Sequence, residues 1–77
     1  MKIIFKTLKQ ESYELEISDG NINILELKKL LELNFGFDHT KLKLIFNSIV
    51  LENTKNLSEY NISDNYTIII ANIKMTS

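Results

Sequence analysis

The sequence predicts an α+β domain in which a single helix packs across a mixed five-stranded sheet. Three observations predict it. Two segments of period-two alternation open the chain, one segment of helical periodicity follows, and short apolar runs between polar turns complete it. At 77 residues there is room for one domain. A chain this short buries only roughly 60% of its unfolded surface, so its stability is expected near the low end of the usual range of about 5–15 kcal/mol.

Residues 1–7 place Met1, Ile3 and Phe5 on one face and Lys2, Ile4 and Lys6 on the other. Residues 12–17 repeat the pattern, with Tyr13, Leu15 and Ile17 against Ser12, Glu14 and Glu16. Both read as half-buried strands. The connector Leu8-Lys9-Gln10-Glu11 is short enough for an antiparallel hairpin, although it lacks an Asn-Gly turn signal. After a loop at 18–21, Asn23 has the character of a helix N-cap, with Glu26 in the capping-box position. Ile24, Leu27, Leu31 and Phe35 then form a stripe at helical spacing, and Gly36 supplies a left-handed stop. Residues 42–46 alternate again, Asn47-Ser48 turns the chain, and 49–51 form a short strand. Residues 52–65 are polar, with a helical turn expected near 57–60. The apolar run at 67–70 suits the centre of a sheet.

Composition narrows the function. There is no Cys, which excludes disulfides and thiolate metal sites, and a lone histidine, His39, cannot build a metal site by itself. The net charge is −1 with both signs mixed along the chain, unlike the basic excess of a nucleic-acid footprint. No run approaches the ~18 apolar residues of a membrane span, and the charged, alternating start does not resemble a signal peptide. The expectation is a soluble, monomeric domain of cytoplasm and nucleus, without cofactor or metal. Enzyme classes fail on inventory: there is no Cys nucleophile, no His paired with an acid and a Ser, and no Gly-rich phosphate loop.

The element order is ββαββ-turn-β, with the first and last strands expected to pair in parallel. That is the β-grasp arrangement. The segments MKIIFKTL, LKLIFNSIVLE and LSEYNI each resemble the matching segment of the ubiquitin family. The resemblance covers the whole chain, with one extra residue in the 18–23 loop. It implies a ubiquitin-like domain over residues 1–74, with 75–77 beginning a tail or linker, and action by docking. Where ubiquitin ends in Gly-Gly, this chain has Thr76 and Ser77, which argues against conjugation as a modifier. The positions of the two best-known linkage lysines hold Ile49 and Asp64, while Lys6 and Lys28 remain. The first hairpin and last strand, FKTLKQESYELEI and ISDNYTIIIANIK, are most similar to the N-terminal ubiquitin-like domain of proteasome-shuttle and nucleotide-excision-repair proteins.

That resemblance implies a site. Leu8, Lys43, Ile45, Ile69 and Ala71 align with the family's apolar recognition patch, Lys6 adds rim charge, and Ile49 and Val50 widen the apolar area. A β-branched residue at one outward strand position reflects strand propensity as readily as binding. An apolar cluster of four or more needs a partner. The expected partners are proteasome receptor subunits or their ubiquitin-interacting helices, and the parent protein's own ubiquitin-associated domains, with neither nucleic acid nor membrane. Two other roles stay open: a modifier dependent on a Gly-Gly tail, and an adaptor using another face, such as Leu25, Leu30 and Leu33 on the helix. Lys28 is expected to be structural, paired with Glu52 or a backbone carbonyl. Tyr60 is expected to hold the 52–60 loop through its hydroxyl.

Overall fold

The computed structural model describes residues 1–18 and 21–71. In chain order the elements are strands β1 (Lys2–Thr7) and β2 (Ser12–Glu16), helix α1 (Ile24–Phe35), strands β3 (Leu44–Phe46) and β4 (Ile49–Val50), a 3-10 helix at Leu57–Tyr60, and strand β5 (Thr67–Ile70). They build one sheet in the order β2-β1-β5-β3-β4. β1 and β5 run parallel in its centre, and the other pairs are antiparallel. This is the expected β-grasp, with the last strand at the middle of the sheet.

Local chemistry sets the turns. In the first hairpin the Thr7 hydroxyl accepts from the amides of Lys9 (3.2 Å) and Glu11 (3.1 Å). Gln10 takes the left-handed conformation, at φ 68°, that glycine would otherwise supply. The β3–β4 turn puts both Asn47 (φ 57°) and Ser48 (φ 68°) in that region, the primed geometry that matches strand twist. Helix α1 starts and stops where its caps predict. The Asn23 side chain accepts from the Glu26 amide at 2.9 Å, and Gly36, at φ 84°, donates its amide to the Glu32 carbonyl. The reciprocal bond expected from the Glu26 side chain is absent among the described residues. Instead the helix entry is tied to the loop across from it, through Ile24 N–H to Lys55 C=O (2.9 Å) and Leu57 N–H to Ile22 C=O (3.2 Å).

The core lies between the helix and one face of the sheet. Ile24, Leu27 and Leu31 pack onto Ile3, Phe5, Leu44, Ile68 and Ile70, and Leu57 and Ile62 close the far end. Phe35 departs from the expected core stripe. It ends the helix over edge strand β2, where its ring meets Tyr13 (centroids 4.9 Å apart) and Phe37 and stays partly exposed. Tyr60 behaves as expected, its hydroxyl accepting the Glu52 amide at 2.9 Å. Lys28 does not. It is buried, at 8% exposure, and among the described residues neither Glu52 nor any carbonyl partners its ammonium. Burial without compensation pushes its pKa below the ordinary lysine value.

Candidate functional site

The face of the sheet turned away from the helix is built by strand parity. Because Ile3, Phe5, Leu44, Ile68 and Ile70 point inward, their neighbours Ile4, Lys6, Ile45 and Ile69 point outward. The register aligns these outward residues into a row. Lys6 lies opposite Ile69, Ile69 opposite Ile45, and Ile45 opposite Val50. The row therefore crosses four strands from β1 to β4. One step along, Ala71 donates its amide to the Lys43 carbonyl at 2.8 Å, continuing the β3–β5 register past Leu44 and Ile70. Leu8 follows Thr7, whose register partner is Ile70, and is 75% exposed.

The sequence-predicted residues Leu8, Lys6, Lys43, Ile45, Ile69, Ala71 and Val50 thus belong to one face. Leu8, Lys6, Lys43 and Val50 are exposed, while Ile45, Ile69 and Ala71 are half-buried by their neighbours. Ile49 is separated from them. It lies opposite Phe46, on the other face of a two-residue strand, and is exposed there. Beside it Phe46 stacks on the exposed Tyr66, with ring centroids 5.7 Å apart. Two residues were missed by sequence reasoning. Ile4 borders the patch, between Glu14 and Thr67, and its parity in the first strand was the available signal. Tyr66 adds exposed apolar surface beside Phe46, on the side of the sheet where Ile49 lies rather than on the patch; its position two residues before the inward Ile68 was the hint.

Electrostatics give this face a sign. Lys2 pairs with Glu14 at 3.7 Å, whereas Lys6 and Lys43 are exposed and have no ion-pair partner among the described residues. An apolar patch between two free ammonium groups is suited to hold an apolar surface carrying carboxylates. The helix offers less. Leu33 is 79% exposed, but Leu25 is half-buried and Leu30 packs against the core. One exposed leucine is ordinary on a protein surface.

His39 is not alone. One donor atom each from Glu32, Asp38 and His39 lie within 4.8 Å of one another, with His39 Nδ1 against Glu32 Oε1. Asp38 Oδ1 already accepts from the Thr40 amide (3.0 Å) and hydroxyl (2.6 Å). Those two bonds hold the Asp38 carboxyl below the usual carboxylate range. The His39 ring, in hydrogen-bond contact with Glu32, joins the loop after the helix to the last turn of α1. No helix among the described residues is long and apolar enough to cross a membrane. The tail positions Thr76 and Ser77, and the expected boundary at 74–75, lie outside the described residues.

A comparison with curated proteins finds no match to this chain. The family model described as the ubiquitin family matches residues 3–76.

Proposed function

Because the chain belongs to the ubiquitin family, which supports a protein-interaction or modifier-like role, we propose that it is a non-covalent docking domain working through its open sheet face. The observation that carries this is the aligned outward row Ile69, Ile45 and Val50, with Leu8 and Ala71 beside it and, at its borders, Lys6 and Lys43, which have no ion-pair partner among the described residues. In binding, Ile45 and Leu8 act as anchors, Ile69 and Ala71 as floor, and the lysines as rim charges. Ile69 carries no ionisable group, so this floor keeps its apolar character at every pH.

The finer proposal is that the domain tethers a shuttle protein to a proteasome receptor and delivers ubiquitinated cargo in cytoplasm and nucleus, with a link to DNA repair. What supports it is the similarity of FKTLKQESYELEI and ISDNYTIIIANIK to the corresponding segments of shuttle proteins. The partner would be a ubiquitin-interacting helix of a receptor subunit, bound transiently over less than ~1,200 Å². The deciding experiment is an NMR titration of the ¹⁵N-labelled domain with such a helix. Shifts clustered at Leu8, Ile45, Ile69 and Ala71 are expected, and Ile45→Ala should weaken binding by about 1–3 kcal/mol while preserving the fold. No shift at millimolar peptide would refute the receptor proposal. Shifts confined to the helix would replace it with an adaptor role.

A further inference from the structure

We propose that Glu32, Asp38 and His39 form a binding site for a divalent transition-metal ion of the zinc class, which clips the end of helix α1 to the loop beyond it. The three residues come from two elements. Glu32 stands in the last turn of α1, and Asp38 and His39 lie past the Gly36 stop. Gly36, in the left-handed conformation at φ 84°, turns the chain so that His39 Nδ1 comes into contact with Glu32 Oε1. One donor atom from each residue then lies within 4.8 Å of the other two. By itself His39 could hold no metal; this convergence supplies the missing ligands.

The donor set selects the ion. Imidazole nitrogen and carboxylate oxygen are both zinc ligands, and three protein ligands with a water in the fourth position complete a tetrahedral site. Magnesium and calcium favour shells made of oxygen alone. Tetrahedral bonds of 2.0–2.1 Å set the ligand atoms about 3.4 Å apart. The widest pair here has to close by about 1.4 Å at most, and the His39–Glu32 pair has to open slightly. Rotation of surface side chains covers both movements. Glu32 and Asp38 are exposed, and the His39 side chain is 28% exposed, so an ion reaches all three from solvent.

Two features prepare the site. Asp38 Oδ1 accepts from the Thr40 amide at 3.0 Å and hydroxyl at 2.6 Å, which fixes the carboxylate, and Oδ2 has no partner among the described residues. Bonds of this kind orient metal ligands from outside the coordination shell. The second feature is the charge at the helix end. The last turn of α1 holds no basic residue, and Glu32 adds a negative charge where the helix dipole is already negative. A cation there neutralises both. Lys41, whose amide donates to the Asp38 carbonyl at 2.9 Å, brings an opposing positive charge to the same turn, so binding is expected to be micromolar rather than tight.

The test is a titration of Zn²⁺ into the ¹⁵N-labelled protein, free of any polyhistidine tag. Amide shifts should cluster at Glu32, Asp38, His39 and Thr40, and zinc should raise the Tm of the parent but not of His39→Ala. The His39 ring nitrogens report the geometry: zinc should sit on Nδ1, with the ring proton on Nε2. Glu32→Gln and Asp38→Asn should each weaken binding at least about tenfold, and Thr40→Val, which removes only the hydroxyl that orients Asp38, about tenfold. All four positions are at the surface, so the variants should keep the parent spectrum elsewhere. Zinc on Nε2 would place the ion away from Glu32 and overturn the site. So would a Glu32→Gln, Asp38→Asn double variant that binds as tightly as the parent, since His39 would then be a lone surface ligand. Equal affinity for Mg²⁺ would refute the assigned ion class, and the absence of shifts at these residues at millimolar zinc would refute binding altogether.

Discussion

Lys28→Met should stabilise the domain. Lys28 follows Ile24 by one helical turn and precedes Leu31, and both of those side chains are fully buried. Its methylenes therefore belong to the core, and a methionine of similar reach can replace them with little loss of packing. What the substitution removes is a buried ammonium with no partner among the described residues. Burying an uncompensated polar group costs about 1–3 kcal/mol in protein mutational data. A flexible four-carbon stem lets the head recover part of its hydration, which places the gain nearer 1–2 kcal/mol. For a domain of this size each kcal/mol raises Tm by roughly 4–8 °C. The pH dependence carries a distinct sign. The folded-state pKa of Lys28 lies below its unfolded value, so the penalty is full at pH values below the folded pKa. It fades as pH rises from there towards the unfolded value of about 10.4. Urea titrations of both proteins at neutral pH and at intervals up to pH 10 should show the advantage of Lys28→Met shrinking as pH rises. A variant no more stable than the parent at pH 7, or an advantage constant across that range, would refute the claim. Destabilisation of the parent by Glu52→Gln would identify Glu52 as the missing partner.

Three further outcomes follow from named contacts. Ser48→Gly should stabilise by about 0.5–1 kcal/mol in a denaturant titration, because relief of a left-handed serine exceeds the added freedom of the unfolded chain. Tyr60→Phe should cost about 0.5–1.5 kcal/mol and speed hydrogen exchange of the Glu52 amide, which loses its acceptor. Thr40→Ala should raise the Asp38 pKa, seen by carboxyl ¹³C titration. The depressed folded pKa of Asp38 gives stability that is present above its unfolded pKa and lost as pH falls through the folded one, so the variant should show less of that acid sensitivity.

Much of this architecture was legible because its signals are local. Asn23 and Gly36 bracket the helix to the residue, since a cap is a property of one side chain and one backbone conformation. The outward placement of Lys6, Ile45 and Ile69 followed from parity within single strands. What escaped depended on contacts between elements. Whether Ile49 joins Ile45 or opposes it is settled by the register of a two-residue strand against β3, and alternation cannot be read over so short a run. Phe35 fits the helical stripe in sequence but meets Tyr13 of the edge strand β2 rather than the central strands, and stays partly exposed there. Lys28 has a buried position without the expected Glu52 or carbonyl partner among the described residues, because an ion pair needs two residues to converge and periodicity places only one of them. The convergence of Glu32, Asp38 and His39 was hidden for the same reason.

The parallel pairing of β1 with β5 has a consequence for how the chain is made. β5 is the last strand to leave the ribosome, yet it sits between the first hairpin and the β3–β4 pair, which do not touch through the sheet without it. During synthesis the amino-terminal hairpin and the helix can form, but Ile3 and Phe5 lack their central neighbour until Ile68 and Ile70 emerge. Closing a contact from residue 4 to residue 67 must precede most of the stabilisation it makes possible. The domain is therefore committed to folding late and all at once. A nascent chain stalled before residue 67 would hold two hairpin fragments with their apolar faces open to chaperones.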